Sequence, residues 1–343
     1  MLRVRLCLTS SLRYNRRAMT ASAHSLAPGA PPGPRAALDV ASIAICALIW
    51  GTTWYAIRLQ LGSVDPIVSV VYRFTLAAAL LFAWCALRGL PLALTRQQHA
   101  ACFGVGLCTF TVDYACLYLA EARITSAVVA VAYGATAFVN LIVFRWLFGQ
   151  RAALSAWVAA GCGLLGVGML SWEEITRAHL DQRVIAGLAF SLVAVLTAVL
   201  GNACARRAEQ AGAPLGAATA WAMAYGAALL SIFVTLSGRA WSFDARATYV
   251  LSLLYLTGLG SVVALLLYFG IARRRGYTLA AYVTALTPLI AMLMSSLFEA
   301  KSWHALGLVG VAFVILGQWL LLRRRAPIQA PLRVHAPAEE RAR

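Results

Sequence analysis

Ten apolar runs, each long enough to cross a bilayer, follow one another along this chain with short polar breaks between them. They lie approximately at Ala41–Ile57, Ile67–Leu87, His99–Ala120, Ile124–Phe148, Leu154–Ser171, Ile185–Ala205, Ala213–Leu236, Tyr249–Ala272, Tyr277–Phe298 and Ala305–Leu322. A span needs about 20 such residues. Lipid offers the backbone no hydrogen bonds, so each run must satisfy its own and is read as a helix. With 62% hydrophobic and 12% charged residues, the chain has too little polar surface to coat a soluble core. The sequence therefore specifies an all-α integral membrane protein with ten transmembrane helices.

Basic residues set the orientation. Arg88 and Arg96, Arg145 and Arg151, Arg206 and Arg207, and Arg273 to Arg275 fall in alternate connections, on the side that also holds the arginines of both tails. The other connections carry Arg58, Arg123, Arg177, Arg183, Arg239, Arg246 and Lys301. Both termini are thus expected in the cytoplasm, as an even number of spans requires. The net charge of +17 does not point to nucleic acid, because the basic residues are dispersed between apolar runs. Residues 1–38 read as a disordered basic arm without the apolar stretch of a secretory signal, with Met19 as a second potential start; residues 323–343 read as a disordered basic tail.

The two halves repeat. At an offset of about 150 residues, Gly51 falls on Gly201, Tyr118 on Tyr268, Tyr133 on Tyr282, Gly161 on Gly310 and Gly168 on Gly317, while Pro66 and Pro214 match slightly sooner. This divides the chain into a first five-helix repeat at 39–172, a connecting loop at 173–183 and a second repeat at 184–322. Five is odd, so the second unit enters the membrane from the opposite side. Such inverted repeats build secondary transporters, whose substrate site lies near the midplane between the halves.

Particular stretches carry a more specific likeness. ALIWGTTWYAIRL, then Pro66 and VVYRFTLAAALLF, resembles the opening of an EamA-like permease of the drug/metabolite transporter superfamily, with Trp-Gly in the first helix and Arg-Phe in the second. LFGQRAALSAW and TPLIAMLMSSLFEAKSW resemble that family's paired helix ends, although Gln150 stands where many relatives have a glutamate and Glu299 supplies one only in the second half. The resemblance covers about Ala41 to Leu322. It implies a bacterial inner-membrane transporter of small metabolites or amino acids, usually assigned to export, and a related alternative is obligate exchange, as in the nucleotide-sugar antiporters.

Arg73 lies inside the second run, and a cation there is costly unless it faces protein or water. Counting residues from the span ends gives Asp113 in the third run nearly the same depth, about 10 Å at 1.5 Å per residue. Arg73 and Asp113 are therefore expected to pair, either as a lock between two helices or in a functional role in which Arg73 holds a substrate carboxylate or Asp113 takes up a proton; the alternative is that Arg73 snorkels to the interface.

The expected cavity is apolar with a few polar groups. Its candidate lining is Trp50, Trp54, Tyr133, Asn140, Asn202, Tyr282 and Thr284. Tyr133, Thr136 and Asn140 share one helical face; Trp50 and Trp54 lie one turn apart beside Gly51. Pro288 removes a backbone bond and is a hinge candidate. The fifth and tenth helices carry Gly161 to Gly168 and Gly307, Gly310 and Gly317, small faces suited to close packing or to a homodimer contact. The expected partners are thus a small-molecule substrate, the lipid bilayer and a second copy, with no cofactor or metal.

An integral membrane enzyme is the rival of a different class. The five histidines sit at span edges or in the tails, without a nucleophile–base arrangement. Seven of the cysteines lie in apolar runs without metal-ligand spacing, and neither the nucleotide-binding G-x-x-x-x-G-K-[ST] motif nor a ring of charge for a channel is present.

Overall fold

The computed structural model describes residues 34–62, 64–124, 129, 132–150, 152–170, 172, 176, 182–281, 283–284, 286–287, 289–290, 293 and 305–323. Among these residues ten helices follow one another and no strand occurs. They are α1 (Pro34–Arg58), α2 (Pro66–Leu87), α3 (Arg96–Glu121), α4 (Thr136–Phe148), α5 (Leu154–Leu170), α6 (Gln182–Gln210), α7 (Leu215–Leu236), α8 (Ala247–Arg275), α9 (Tyr277–Ala281) and α10 (Ala305–Arg323). Helical backbone recurs after α9 as far as residue 293. Six helices, α1, α2, α3, α6, α7 and α8, are long and apolar enough to cross a membrane, and α4, α5 and α10 contain shorter apolar stretches. Most of the two tails lies outside the described residues, and all contacts below fall within Ser42–Arg343.

Local chemistry sets several helix ends. Asp65 accepts from the Ile67 backbone N–H at 2.8 Å while Pro66 opens α2, where a missing N–H costs nothing. Thr95 and Gln98 form a reciprocal capping box at the start of α3. Gly149 stops α4 at φ 62°, a left-handed geometry that side chains resist.

Within α3 the segment Gly106–Asp113 is wound as a π-helix, and so is Leu256–Val263 within α8. Positions 106 and 256, and 113 and 263, are each 150 apart, so the irregularity is itself duplicated. Each segment is braced alike: Thr111 Oγ1 donates to the Gly106 carbonyl at 3.0 Å and Ser261 Oγ to the Leu256 carbonyl at 2.9 Å.

The ends of the bundle show the inversion. The α7–α8 connection lies on α2, where Tyr72 donates to the Ser242 carbonyl at 3.0 Å and its ring meets Trp241 and Phe243. Conversely, the α2–α3 connection lies on α7, where Trp221 Nε1 donates to the Leu92 carbonyl at 3.0 Å. Equivalent aromatic donors thus tie equivalent carbonyls at the two ends. At the first end Arg239 Nη1 also meets Asp65 Oδ2 at 2.6 Å, joining the α7–α8 and α1–α2 connections. At the second, Gln98 Nε2 donates to the Ala211 carbonyl of the α6–α7 connection at 2.8 Å. The α1–α2 and α6–α7 connections are counterparts in the two repeats, and they sit at opposite ends of α2 and α7. That is the signature of two inverted five-helix units.

The Arg239–Asp65 pair is a quarter to a third exposed, so water screens it. A double-mutant cycle on Arg239→Ala and Asp65→Ala, read by thermal unfolding in detergent, is expected to give a coupling of only about 0.2–1 kcal/mol.

Helices α5 and α10 pack on one another through their glycines. A Cβ on Gly166 would fall 2.6 Å from the Gly310 carbonyl oxygen, and one on Gly317 2.7 Å from that of Ala159. The small faces expected to serve packing or a dimer contact are, at these three glycines, occupied within the chain.

Candidate functional site

A π turn carries an extra residue, which leaves backbone carbonyls off their usual partners and re-aims the side chains that follow. In α8 it directs the Gly260 carbonyl towards α1, where Trp50 Nε1 donates to it at 3.1 Å, and the Ser261 hydroxyl towards α2, where Arg73 Nε donates at 2.8 Å. In α3 it ends on Asp113, whose two carboxylate oxygens each accept from the Tyr133 hydroxyl at 2.7 Å.

Between these groups lies a cavity of about 70 Å³, enough for several water molecules. Both repeats line it: α1, α2, α3 and the start of α4, with Tyr133 just before it, from the first, and α6, α8 and the helical backbone after α9, at Thr284 and Thr287, from the second. Close helix approaches shape it. A side chain at Gly51 of α1 would collide with Ile290, and one at Gly201 of α6 with Thr109 of α3. Six of the described lining residues are aromatic, among them Trp50, Trp54, Tyr133 and Tyr268. Trp50 lies 5.2 Å from Tyr268 between ring centroids, and Trp54 meets Tyr133 nearly edge-on at 6.3 Å.

Arg73 is 1% exposed. Besides Ser261 it donates through Nη1 to the Tyr118 hydroxyl at 3.4 Å, which in turn donates to Gln60 Oε1 at 3.2 Å. Its guanidinium lies 4.8 Å from the ring centre of Tyr114 and 5.3 Å from that of Phe74. Asp113 is equally buried. The expected Arg73–Asp113 pair is therefore corrected: both residues line one cavity, but each has its own neutral partners and no ion pair joins them. The depth estimate placed them at one level. The π turn that ends on Asp113 changes where its side chain points, and a regular helix count does not contain that rotation.

Of the residues singled out in the sequence, Trp50, Trp54, Tyr133, Asn202 and Thr284 line this cavity. Asn140 does not. It is fully buried behind Asn202, whose Nδ2 approaches its Oδ1 at 3.5 Å, while Asn202 Oδ1 accepts from Tyr268 at 3.1 Å. Thr284 donates to the Ala281 carbonyl of its own helix. Tyr282 and Pro288 lie outside the described residues. Sequence reasoning missed Ser261, Tyr118 and Tyr268 as site residues. The two tyrosines had a signal, since they match across the repeats; Ser261 matches Thr111 at the same offset, but that match does not reveal its bond to Arg73, which depends on the π turn.

Comparison with known proteins agrees with this architecture. The inner membrane transporter YedA of Escherichia coli (strain K12) is 26% identical over 300 residues, covering 85% of this chain and 94% of YedA. Protein PagO of Salmonella typhimurium is 22% identical over 84% of this chain and 94% of its own. A solved crystal structure aligns with a TM-score of 0.69 over 82% of this chain and 96% of the other at 15% identity, a likeness of fold. The model of the EamA-like transporter family matches twice, at residues 39–172 and 185–323. Two matches, one on each half of an inverted pair of five-helix units, place the chain in the EamA-like transporter family.

Proposed function

We propose that this multi-pass inner-membrane protein is a secondary transporter that exports small metabolites or amino acids by alternating access about the cavity between its repeats. The carrying observation is that cavity: it lies within the bundle, carries six aromatic side chains among its described lining, and is built from both halves, so that rocking one repeat against the other would open it at either end of the bundle. The excess of arginine in the connections shared with both tails supports cytoplasmic termini. The name of YedA as a transporter supports the same reading. Asp113 supplies a carboxyl group in the cavity that can load a proton and couple efflux to a gradient.

Efflux from proteoliposomes tests this. Labelled candidate metabolites loaded inside are expected to leave faster when the protein is present, and faster again under an imposed pH gradient. Efflux that occurs only with counter-substrate outside would assign obligate exchange instead, and protein without effect on any metabolite in a broad screen would overturn transport.

A further inference from the structure

We infer that Arg73 is the anion-binding group of the cavity and that the substrate presents a carboxylate to it. This deepens the transport reading and rests on it.

Burying a guanidinium is costly unless an opposite charge compensates it. Here the hydrogen-bond partners are hydroxyls and the ring contacts are uncharged, so the positive charge stays unneutralised within ion-pair distance. A strut between α2 and α8 does not need that charge. Ser69 and Tyr249 already join the same two helices through hydroxyls 3.0 Å apart. A neutral side chain opposite Ser261 would serve as well.

The free part of the guanidinium faces the right way for a ligand with two oxygens. Nε is committed to Ser261, Nη1 is held by Tyr118 at the long distance of 3.4 Å, and Nη2 makes no hydrogen bond. Arg73 lines the cavity, and Nη2 lies beside Gly260, where a Cβ would be 3.4 Å from it, an ordinary contact. The Nη1–Nη2 edge is the fork that receives a carboxylate through two parallel bonds. Among the described lining residues Arg73 is the only cation, and Asp113 adds a negative group to the same cavity. One cation near one carboxyl suits a singly charged carboxylate better than a doubly charged phosphate. The rings of Trp50, Tyr268, Trp54 and Tyr133 give the cavity an apolar wall on which an apolar body attached to the carboxylate can rest, once the repeats part enough to enlarge the 70 Å³ of this conformation.

The test compares matched ligands on the full-length protein in detergent. Benzoate, phenylacetate, phenylpyruvate and indole-3-acetate are each set against the corresponding amide, with phenethylamine as a cationic probe, and binding is read by thermal shift and tryptophan fluorescence. At least one acid is expected to bind roughly 10- to 100-fold more tightly than its amide, the range for bonds to a charged group. Arg73→Gln should erase that preference and Arg73→Lys restore part of it, since lysine keeps the charge but not the fork. Should Arg73→Gln not fold, the acid–amide comparison on the wild-type protein still decides. Equal binding of acid and amide, preference for the amine, or no binding by any acid overturns the inference. Failure of the two readings is distinguishable: a neutral or cationic compound that is transported while no acid binds removes only the Arg73 assignment, whereas acids that bind without protein-dependent flux remove only transport.

Discussion

Leucine at Gly106 is expected to destabilise the bundle by about 3 kcal/mol or more, at the upper end of what overpacking costs. A Cβ at this position would already lie 2.8 Å from the Ala222 carbonyl oxygen and 3.1 Å from the Gly226 backbone nitrogen. Both atoms belong to the backbone of α7, so no side-chain rotation can relieve the contact. The crowding is reciprocal, because a Cβ on Gly226 would collide with Phe110 and fall 3.1 Å from the Gly106 carbonyl. The two helices are in addition linked by Trp221 and the α2–α3 connection, which limits how far α7 can retreat. The fraction of protein that stays monodisperse after heating in detergent should fall sharply for Gly106→Leu and measurably for Gly106→Ala. Gly161→Ala is the matched control: a Cβ there meets nothing within 4 Å, and stability should stay level. If Gly106→Leu behaves like that control, the close approach of α3 and α7 is not what holds the repeats together.

The scaffold was legible in the sequence where it is periodic. Length and apolarity mark the spans whatever the helices pack against, and the offset between Gly51 and Gly201 survives because each glycine is a place where a neighbour leaves no room for a Cβ. The same offset carries Tyr118 to Tyr268 and, unnoticed from sequence, Thr111 to Ser261, the hydroxyls that brace the two π segments. The chemistry is not duplicated. Ala222 stands at the position equivalent to Arg73, since α2 and α7 begin and end 149 residues apart, and Val263 at that equivalent to Asp113. A duplicated frame with charge in only one half gives the cavity a charged first-repeat side facing an uncharged second-repeat side among the described residues, and any ligand in it meets two unlike walls. What the sequence could not give was the partner of each charged group. One extra residue in a turn rotates everything beyond it by about 100° relative to a regular helix, so a wheel drawn through α3 misaims Asp113, and one drawn through α8 hides Ser261.

Asparagine at Asp113 is expected to abolish the response of efflux to an imposed pH gradient while leaving the folded protein intact, and phenylalanine at Tyr133 to slow efflux while leaving that response in place. The two substitutions remove different things. Asparagine has the shape of aspartate and keeps one oxygen to accept from Tyr133, so only the exchangeable proton and the charge are lost. Phenylalanine keeps the ring against Trp54 but withdraws the one hydroxyl that both Asp113 oxygens share. A hydrogen bond to a charged group contributes about 1.5–3 kcal/mol, which corresponds to roughly a 10- to 100-fold loss in rate if the bond must be intact for the cavity to reorganise. With asparagine in place the same tyrosine bond is neutral and contributes about 1 kcal/mol, so adding Tyr133→Phe to Asp113→Asn should cost less than Tyr133→Phe does alone. Efflux from proteoliposomes with and without a gradient, measured for both single variants and the double, reads all three expectations. An Asp113→Asn protein that still answers to the gradient would show that the proton is carried elsewhere, and additive effects in the double variant would show that the two side chains act independently despite their 2.7 Å contact.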